Sequence, residues 1–203
     1  MNVLITGANG FIGSSLTEFL LSKDCNVRCL LRPSSRLNWL ESIKSDKLSF
    51  FRAQGDDVPS LVKALENIDI VICCAGALRA NSPQQYYDVN VGNTKKMCEA
   101  VLKAGGVKRF IFISSQAAAG PAGGLIPKTL ADKANPISDY GKSKLLAEQA
   151  VKEMLDKKVD WTILRPSSVY GPRDKDIFIF FNLVSKHLRP KPLKPKFFQL
   201  IYA

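Results

Sequence analysis

An α/β fold built on a doubly wound parallel sheet is what this sequence predicts, on three observations. Short apolar runs alternate with helical segments along most of the 203 residues. Those runs are nearly continuous, without the apolar–polar alternation of a half-exposed strand, so they suit strands covered on both faces. A glycine-rich turn, "ITGANGFIG" at 5–13, joins the first apolar run to the first helical segment. Strand and helix in alternation mean βαβ units with right-handed crossovers.

The apolar runs lie at 3–5, 27–31, 48–51, 68–73, 110–113 and 161–164, with a good share of Val, Ile and Phe. Helices are expected over 11–22, 35–43, 60–65, 83–104 and 138–157. After Arg165 the pattern changes. "PSSVYGPRDKD" reads as a loop, 177–187 as a helix, and "FFQLIYA" as a strand ending at the last residue with no partner in sequence. Such an end suggests a missing continuation. There is no internal repeat and no low-complexity tract.

Composition narrows the function classes. The chain is 46% hydrophobic and 23% charged, ordinary for a globular protein. No apolar run approaches the roughly 20 residues that span a bilayer. No basic segment precedes an apolar core at the N-terminus, so no secretion signal is expected. The five cysteines, Cys25, Cys29, Cys73, Cys74 and Cys98, form no CxxC pair. They read as reduced small core residues of a cytoplasmic protein. The net charge is +11, and from 177 to 203 there is no acid among Lys186, Arg189, Lys191, Lys194 and Lys196. Pro190, Pro192 and Pro195 interleave with these cations, so the stretch reads as an extended solvated loop. Contact with a nucleic acid, a membrane or an anionic substrate are the alternatives; no nucleic-acid and no membrane partner is expected.

Gly7, Gly10 and Gly13 fall at intervals of three between strand and helix. Glycine allows positive φ, close backbone approach and tight helix–strand packing. The helix N-terminus then offers free N–H groups and a positive dipole end to a phosphate. Tyr140 and Lys144 stand four apart on a predicted helix and share a face. A nearby ammonium favours a phenolate, so the pair is suited to moving a proton to or from a hydroxyl. Ser115 follows the fifth strand, at the C-terminal edge where α/β sheets bind ligands.

In sequence order, "TGANGFIG", "AQGDD" (53–57), "CCAGA" (73–77), "VNVGNT" (89–94), "FISSQAAAG" (112–120), "YGKSK" (140–144) and "LRPSSVYGP" (164–172) closely resemble the motifs of the extended short-chain dehydrogenase/reductases, the NAD-dependent epimerase/dehydratase family. The resemblance covers nearly the whole chain. The loop spacing is GxxGxxG instead of GxGxxG, and Asn93 replaces a usual glycine. The resemblance implies a Rossmann-type nucleotide-binding domain over 1–175, with 176–203 only the start of a C-terminal substrate lobe. It implies catalytic roles for Ser115, Tyr140 and Lys144, supported by Asn90. It implies dinucleotide contacts at Gly7, Asn9, Gly10, Phe11, Ile12, Gly13, Arg32, Asp56, Asp57, Ala75, Gly76 and Pro166, with Tyr140 and Lys144 serving the cofactor as well. Asp56 would meet the adenine and Lys144 the nicotinamide ribose. The family's pattern selects Ser115 over Ser114, by its distance of five from Gly120. Sugar 4,6-dehydratases of the family carry an Asp-Glu pair after that hydroxyl, whereas Gln116 and Ala117 stand here. Reduction, oxidation or epimerisation of an alcohol or ketone carbon remains, on a small-molecule substrate such as a nucleotide sugar. A cofactor-binding module without turnover is the alternative.

No acid appears between Asp24 and Glu41, where NAD-selective sites hold the ribose diol; Arg32 occupies the region, with Ser34, Ser35 and Arg36 close by. A guanidinium there suits a 2′-phosphate, so NADP is preferred to NAD. No metal is expected. The family often pairs through the helices expected at 83–104 and 138–157, which implies a homodimer, although Met97, Val101, Leu145, Leu146 and Val151 equally suit burial against the sheet.

Overall fold

The computed structural model describes residues 1–188 and 199–203. Six strands, β1 (Asn2–Thr6), β2 (Asn26–Leu31), β3 (Leu48–Arg52), β4 (Ile70–Cys73), β5 (Arg109–Ile113) and β6 (Asp160–Leu164), form one sheet. Their order is β3-β2-β1-β4-β5-β6, and every neighbouring pair is parallel. The chain winds outward from β1 to β3, then crosses back to β4 and winds the other way. A crevice therefore opens at the C-terminal ends of β1 and β4, where the direction reverses.

Successive β1 residues face opposite sides. Val3 and Ile5 enter one core with Val27, Cys29 and Leu31, packed under Leu16 and Leu20 of α1 (Phe11–Ser22). Leu4 enters the other core, with Val71, Phe110 and Phe112. Three helices cover that side: α2 (Val58–Ala64), α4 (Asn93–Ala104) and α6 (Asp139–Leu155). Burial on both faces is why the central strands β1, β2 and β4 read as unbroken apolar runs, whereas the edge strands β3 and β6 bury no residue fully.

Several elements differ from their sequence expectation. The helix expected over 35–43 is one 3₁₀ turn, Asn38–Leu40, entered through Asn38 at φ +53°. The helix expected over 83–104 divides into α3 (Pro83–Tyr87), a π-helical turn at Asp88–Gly92, and α4. The loop expected after Arg165 contains a strand, β7 (Ser168–Tyr170), preceded in the chain by the short α5 (Gln116–Ala119) and followed by α7 (Phe178–Ser185). The final strand, β8 (Leu200–Tyr202), does have a partner: it pairs parallel with β7. The basic, proline-rich stretch at 189–196 lies outside the described residues, as do Phe197 and Phe198.

All five cysteines are free. Met97, Val101 and Val151 are buried in the chain's own core, which leaves Leu146 as the exposed apolar residue among the five weighed for pairing. Among the described residues no helix is long and apolar enough to cross a membrane, and no three His, Cys, Asp or Glu side chains cluster as metal ligands. α7 carries Phe178, Phe180 and Phe181, all more than half exposed.

Candidate active site

A cleft of about 580 Å³ lies over the switch point of the sheet. Its floor begins at the glycine turn. Gly7 stands at φ +66°, and a Cβ there would lie 2.9 Å from the Ala75 backbone. At Gly13 a Cβ would meet the Gly7 carbonyl at 2.2 Å, so glycine is what lets α1 start against the turn. Gly10 differs from expectation: its φ is −84°, so there is no left-handed strain, and a Cβ there would meet only the Gly7 carbonyl, at 3.3 Å. Gly10 is the N-cap of α1, makes no side-chain cap, and no acid stands in the first turn. The first N–H groups of α1 and its dipole therefore face the cleft unneutralised.

The cleft wall holds Gly7, Asn9, Gly10, Phe11, Ile12, Gly13, Arg32, Ala75, Gly76, Tyr140 and Lys144 of the expected set. No Asp or Glu lines it, whereas Arg32, Arg79 and Lys144 do. Arg79 is paired with Asp176, which leaves Arg32 and Lys144 with the open helix N-terminus, an arrangement that fits an anionic dinucleotide. The other expected cofactor residues stand off the wall. Asp57 instead caps α2, accepting from the Ser60 N–H at 3.2 Å. Asp56 is exposed beside it. Pro166 uses its carbonyl to accept from the Gln116 N–H at 2.9 Å, which holds the start of α5.

Tyr140 and Lys144 come from α6, whose N-cap Ser138 accepts from the Gly141 N–H at 3.1 Å. Gly141 is a close-packing position: a Cβ would lie 2.4 Å from the Ala117 carbonyl. That contact seats α6 directly on α5 and sets Tyr140 next to Ser115, the N-cap of α5. The Tyr140 ring packs edge-on against Tyr86 of α3 at 6.1 Å between centroids.

The two serines divide their roles. Ser114 is buried and donates its hydroxyl to Glu148. Glu148, itself buried, also accepts two bonds from Arg165, Nε to Oε1 at 2.9 Å and Nη2 to Oε2 at 2.6 Å. This network ties the ends of β5 and β6 to α6, one turn beyond Lys144. Ser114 is the serine on the cleft wall; Ser115, partly buried and off that wall, caps α5 by accepting from the Ala117 N–H at 3.2 Å and is near enough to Tyr140 to pull its phenol down.

The electrostatics correct one expectation. The Tyr140 phenol sits above its ordinary pKa: burial raises it, the Ser115 hydroxyl pulls it down in part, and Tyr86 adds to the rise. Lys144 is engaged elsewhere. Its Nζ donates to the Ile113 carbonyl at 2.6 Å and lies 4.3 Å from the Phe112 ring centroid. Burial holds the Lys144 ammonium below its ordinary pKa, partly offset by Cys73, Cys74 and Glu148. Cys74 lines the cleft, but burial pushes its thiol up to about 12, so it stays protonated.

Asn90 stands behind the cleft. It is 1% exposed and off the cleft wall. Its Oδ1 accepts from the Ala77 N–H at 2.7 Å, and its Nδ2 donates to the Ser143 hydroxyl at 2.9 Å and to the Ala77 carbonyl at 3.3 Å. Asn90 thus pins the 75–77 turn to α6 from within the π-helical turn, as a positioning residue. The Glu148–Arg165 pair was not legible in sequence; the signal available was a Glu four residues after Lys144 on the same face.

Comparison with known proteins agrees with this geometry. The family described as "NAD dependent epimerase/dehydratase family" matches residues 3–194. A sterol demethylase protein B of Methylococcus capsulatus is 32% identical over 180 residues, covering 86% of this chain and 53% of that protein. A UDP-glucose 4-epimerase of Vibrio cholerae is 33% identical over 196 residues, covering 91% and 57%. A crystal structure of UDP-glucuronic acid 4-epimerase from Bacillus cereus in complex with NAD superposes with a TM-score of 0.77 at 28% identity, covering 92% and 62%. The chain thus spans a little over half the length of these relatives. With a Rossmann-type sheet, a glycine turn at its switch point and a family match over almost its whole length, this chain belongs to the NAD-dependent epimerase/dehydratase family.

Proposed function

We propose that this chain carries the dinucleotide-binding and proton-transfer half of an oxidoreductase or epimerase acting on an alcohol or ketone carbon, with a nucleotide sugar as the substrate class. The observation that carries the reading is that Tyr140 and Lys144 line the same cleft that opens at the glycine turn. A nicotinamide dinucleotide bound there supplies the acceptance and return of a hydride. The chain's own residues do the rest. The first N–H groups of α1 bind the pyrophosphate. Ser115 holds the substrate oxygen, and Tyr140 moves its proton. With its phenol above its ordinary pKa, Tyr140 is protonated at neutral pH and donates to a developing alkoxide; the reverse direction uses the same path. Lys144, whose Nζ donates to the Ile113 carbonyl, would also hold the nicotinamide ribose. The segment from residue 176 onward is assigned to a substrate lobe, and pairing of two copies through α4 and α6 has the exposed Leu146 as its apolar support, since Met97, Val101 and Val151 are buried in the core.

NADP is the preferred dinucleotide, because Arg32 lines the cleft and no carboxylate does. The Bacillus cereus relative was solved with NAD, so the NADP reading is drawn from this chain's β2 loop alone. A second reading, cofactor binding without turnover, draws on the open apolar face of α7.

Coenzyme binding and turnover of the parent, Tyr140→Phe and Lys144→Met test the proposal together. Tyr140→Phe is expected to keep coenzyme affinity and lose about 10²–10⁴-fold in turnover. Lys144→Met is expected to weaken coenzyme binding as well. Parental turnover in Tyr140→Phe overturns the catalytic role; coenzyme binding by a parent that turns over no UDP-sugar, alcohol or ketone favours the second reading.

A further inference from the structure

Arg52, the last residue of β3, lies opposite Leu31 in the β2–β3 register, where the chain leaves β2 for the loop that carries Arg32. Its Nη1 donates to three carbonyls of that loop: Arg32 at 3.1 Å, Pro33 at 2.9 Å and Ser35 at 2.9 Å. The Ser35 N–H also donates to the Arg32 carbonyl, at 2.9 Å. Among the described residues Arg52 makes no ion pair with a carboxylate. Its protein partners are these three peptide dipoles, and the group is otherwise exposed to solvent. Three carbonyls drawn to one amino group of the guanidinium fix the direction of each peptide plane. The peptide N–H groups of Ser34 and Arg36 then point away from Arg52, because N–H and C=O are antiparallel in a trans peptide. The far end of the loop is fastened separately: Asn9 Nδ2 donates to the Arg36 carbonyl at 3.1 Å, and Asn38 Nδ2 to the Asn9 carbonyl at 3.3 Å.

Arg32 and Ser35 both line the cleft, so this loop is where the adenosine end of a dinucleotide is read. We infer that Arg52 is a positioning residue for coenzyme selection: by gathering the carbonyls of Arg32, Pro33 and Ser35 it presents Arg32 and Ser35 to the 2′-phosphate, without touching the coenzyme itself. The inference rests on the reading of Arg32 as the 2′-phosphate contact. An exposed loop of serines and a proline would otherwise sample many conformations, and ordering it at the moment of binding would weaken NADPH far more than NADH.

The test is a fluorescence titration of NADPH and NADH with the parent, Arg52→Met, Arg32→Ala and the double variant. Arg52→Met is expected to narrow the NADPH-to-NADH ratio about tenfold while NADH binding stays within about twofold. In the Arg32→Ala background Arg52→Met should add nothing, since the group it positions is gone. A full ratio in Arg52→Met beside a lost ratio in Arg32→Ala overturns the role of Arg52 and leaves the Arg32 reading standing. An equal loss for both coenzymes also overturns it, because it marks Arg52 as a general brace. Equal binding of both coenzymes by the parent overturns the Arg32 reading and this inference with it. Should Arg52→Met fail to fold, Arg52→Gln, which keeps a donor but no charge, is read against the same outcomes.

Discussion

The two ends of the cleft are built by different means. The end formed by the glycine turn and the β2 loop is made of backbone: close-packed glycines, an uncapped helix start, and carbonyls gathered by an arginine. Its charged groups, such as Arg32, are exposed. The end around Tyr140 is made of buried side chains that hold one another, Asn90 with Ser143 and Ala77, and Glu148 with Ser114 and Arg165. The difference matches the two tasks that the proposed function assigns to the two ends. Recognising phosphates needs N–H groups and cations facing open space, and tolerates small displacements. Moving one proton needs a phenol, a hydroxyl and an ammonium fixed to fractions of an ångström, which only a buried and fully bonded frame provides.

Substitutions probe that contrast from either side. Removing the frame has the largest expected effect: Glu148→Ala strips the partner from Arg165 and Ser114 in the interior, and is expected to cost about 3–5 kcal/mol of stability. Chemical denaturation measures it, and a loss under about 1 kcal/mol would mean that the network is not what holds α6. At the backbone end, Gly10→Val is expected to leave the fold intact, since Gly10 is exposed with φ −84°. It should nonetheless weaken dinucleotide binding about a hundredfold, by denying the pyrophosphate two charge-assisted bonds at the start of α1. Normal binding by a folded Gly10→Val protein would move the phosphate site elsewhere. Arg32→Asp is expected to narrow or reverse the NADPH preference by about tenfold to a hundredfold, with melting temperature unchanged. A melting shift without a change in preference would make Arg32 part of the frame.

The smallest effect is a dependence on pH. Lys144 has its pKa lowered by burial, so in the folded chain the ammonium loses its proton at a lower pH than in the unfolded chain. Coenzyme binding that uses the ammonium is therefore expected to weaken as pH rises through that lowered value, before the ordinary lysine range is reached. In the same window the unfolded chain holds more protons, so stability is expected to rise with pH as the cost of burying the charge is lifted. Lys144→Met should flatten both trends; an unchanged alkaline decline in that variant would assign it to another group.

Much of the molecule was legible because its signals are local. Each of the six sheet strands coincides with an apolar run, and the glycine turn, α1 and α6 follow from spacing within a few residues of one another. The expectations that missed were those where a local signal competes with a distant partner. The 35–43 segment carries helical spacing, yet its loop is held by Arg52 and Asn9 and reaches only one 3₁₀ turn. The strand at 200–202 finds its partner at 168–170, and nothing in either run of three residues announces the other.

The sequence by itself determined the fold class, the site of the glycine turn, the family and the pairing of Tyr140 with Lys144 on one helical face. Those properties depend on periodicity and on motifs read along the chain. Only the tertiary structure decided which groups are spent and which are free. It gave Ser114 to Glu148 and Ser115 to the start of α5, turned Asn90 inward, used Asp57 as a helix cap, directed Lys144 to the Ile113 carbonyl, and raised the Tyr140 phenol chiefly by burial. The physical reason is that a hydrogen bond or a desolvation depends on what lies within about 3 Å in space, and the partners concerned are brought there by the sheet from positions such as 113 and 144, or 114, 148 and 165, that sequence spacing does not connect.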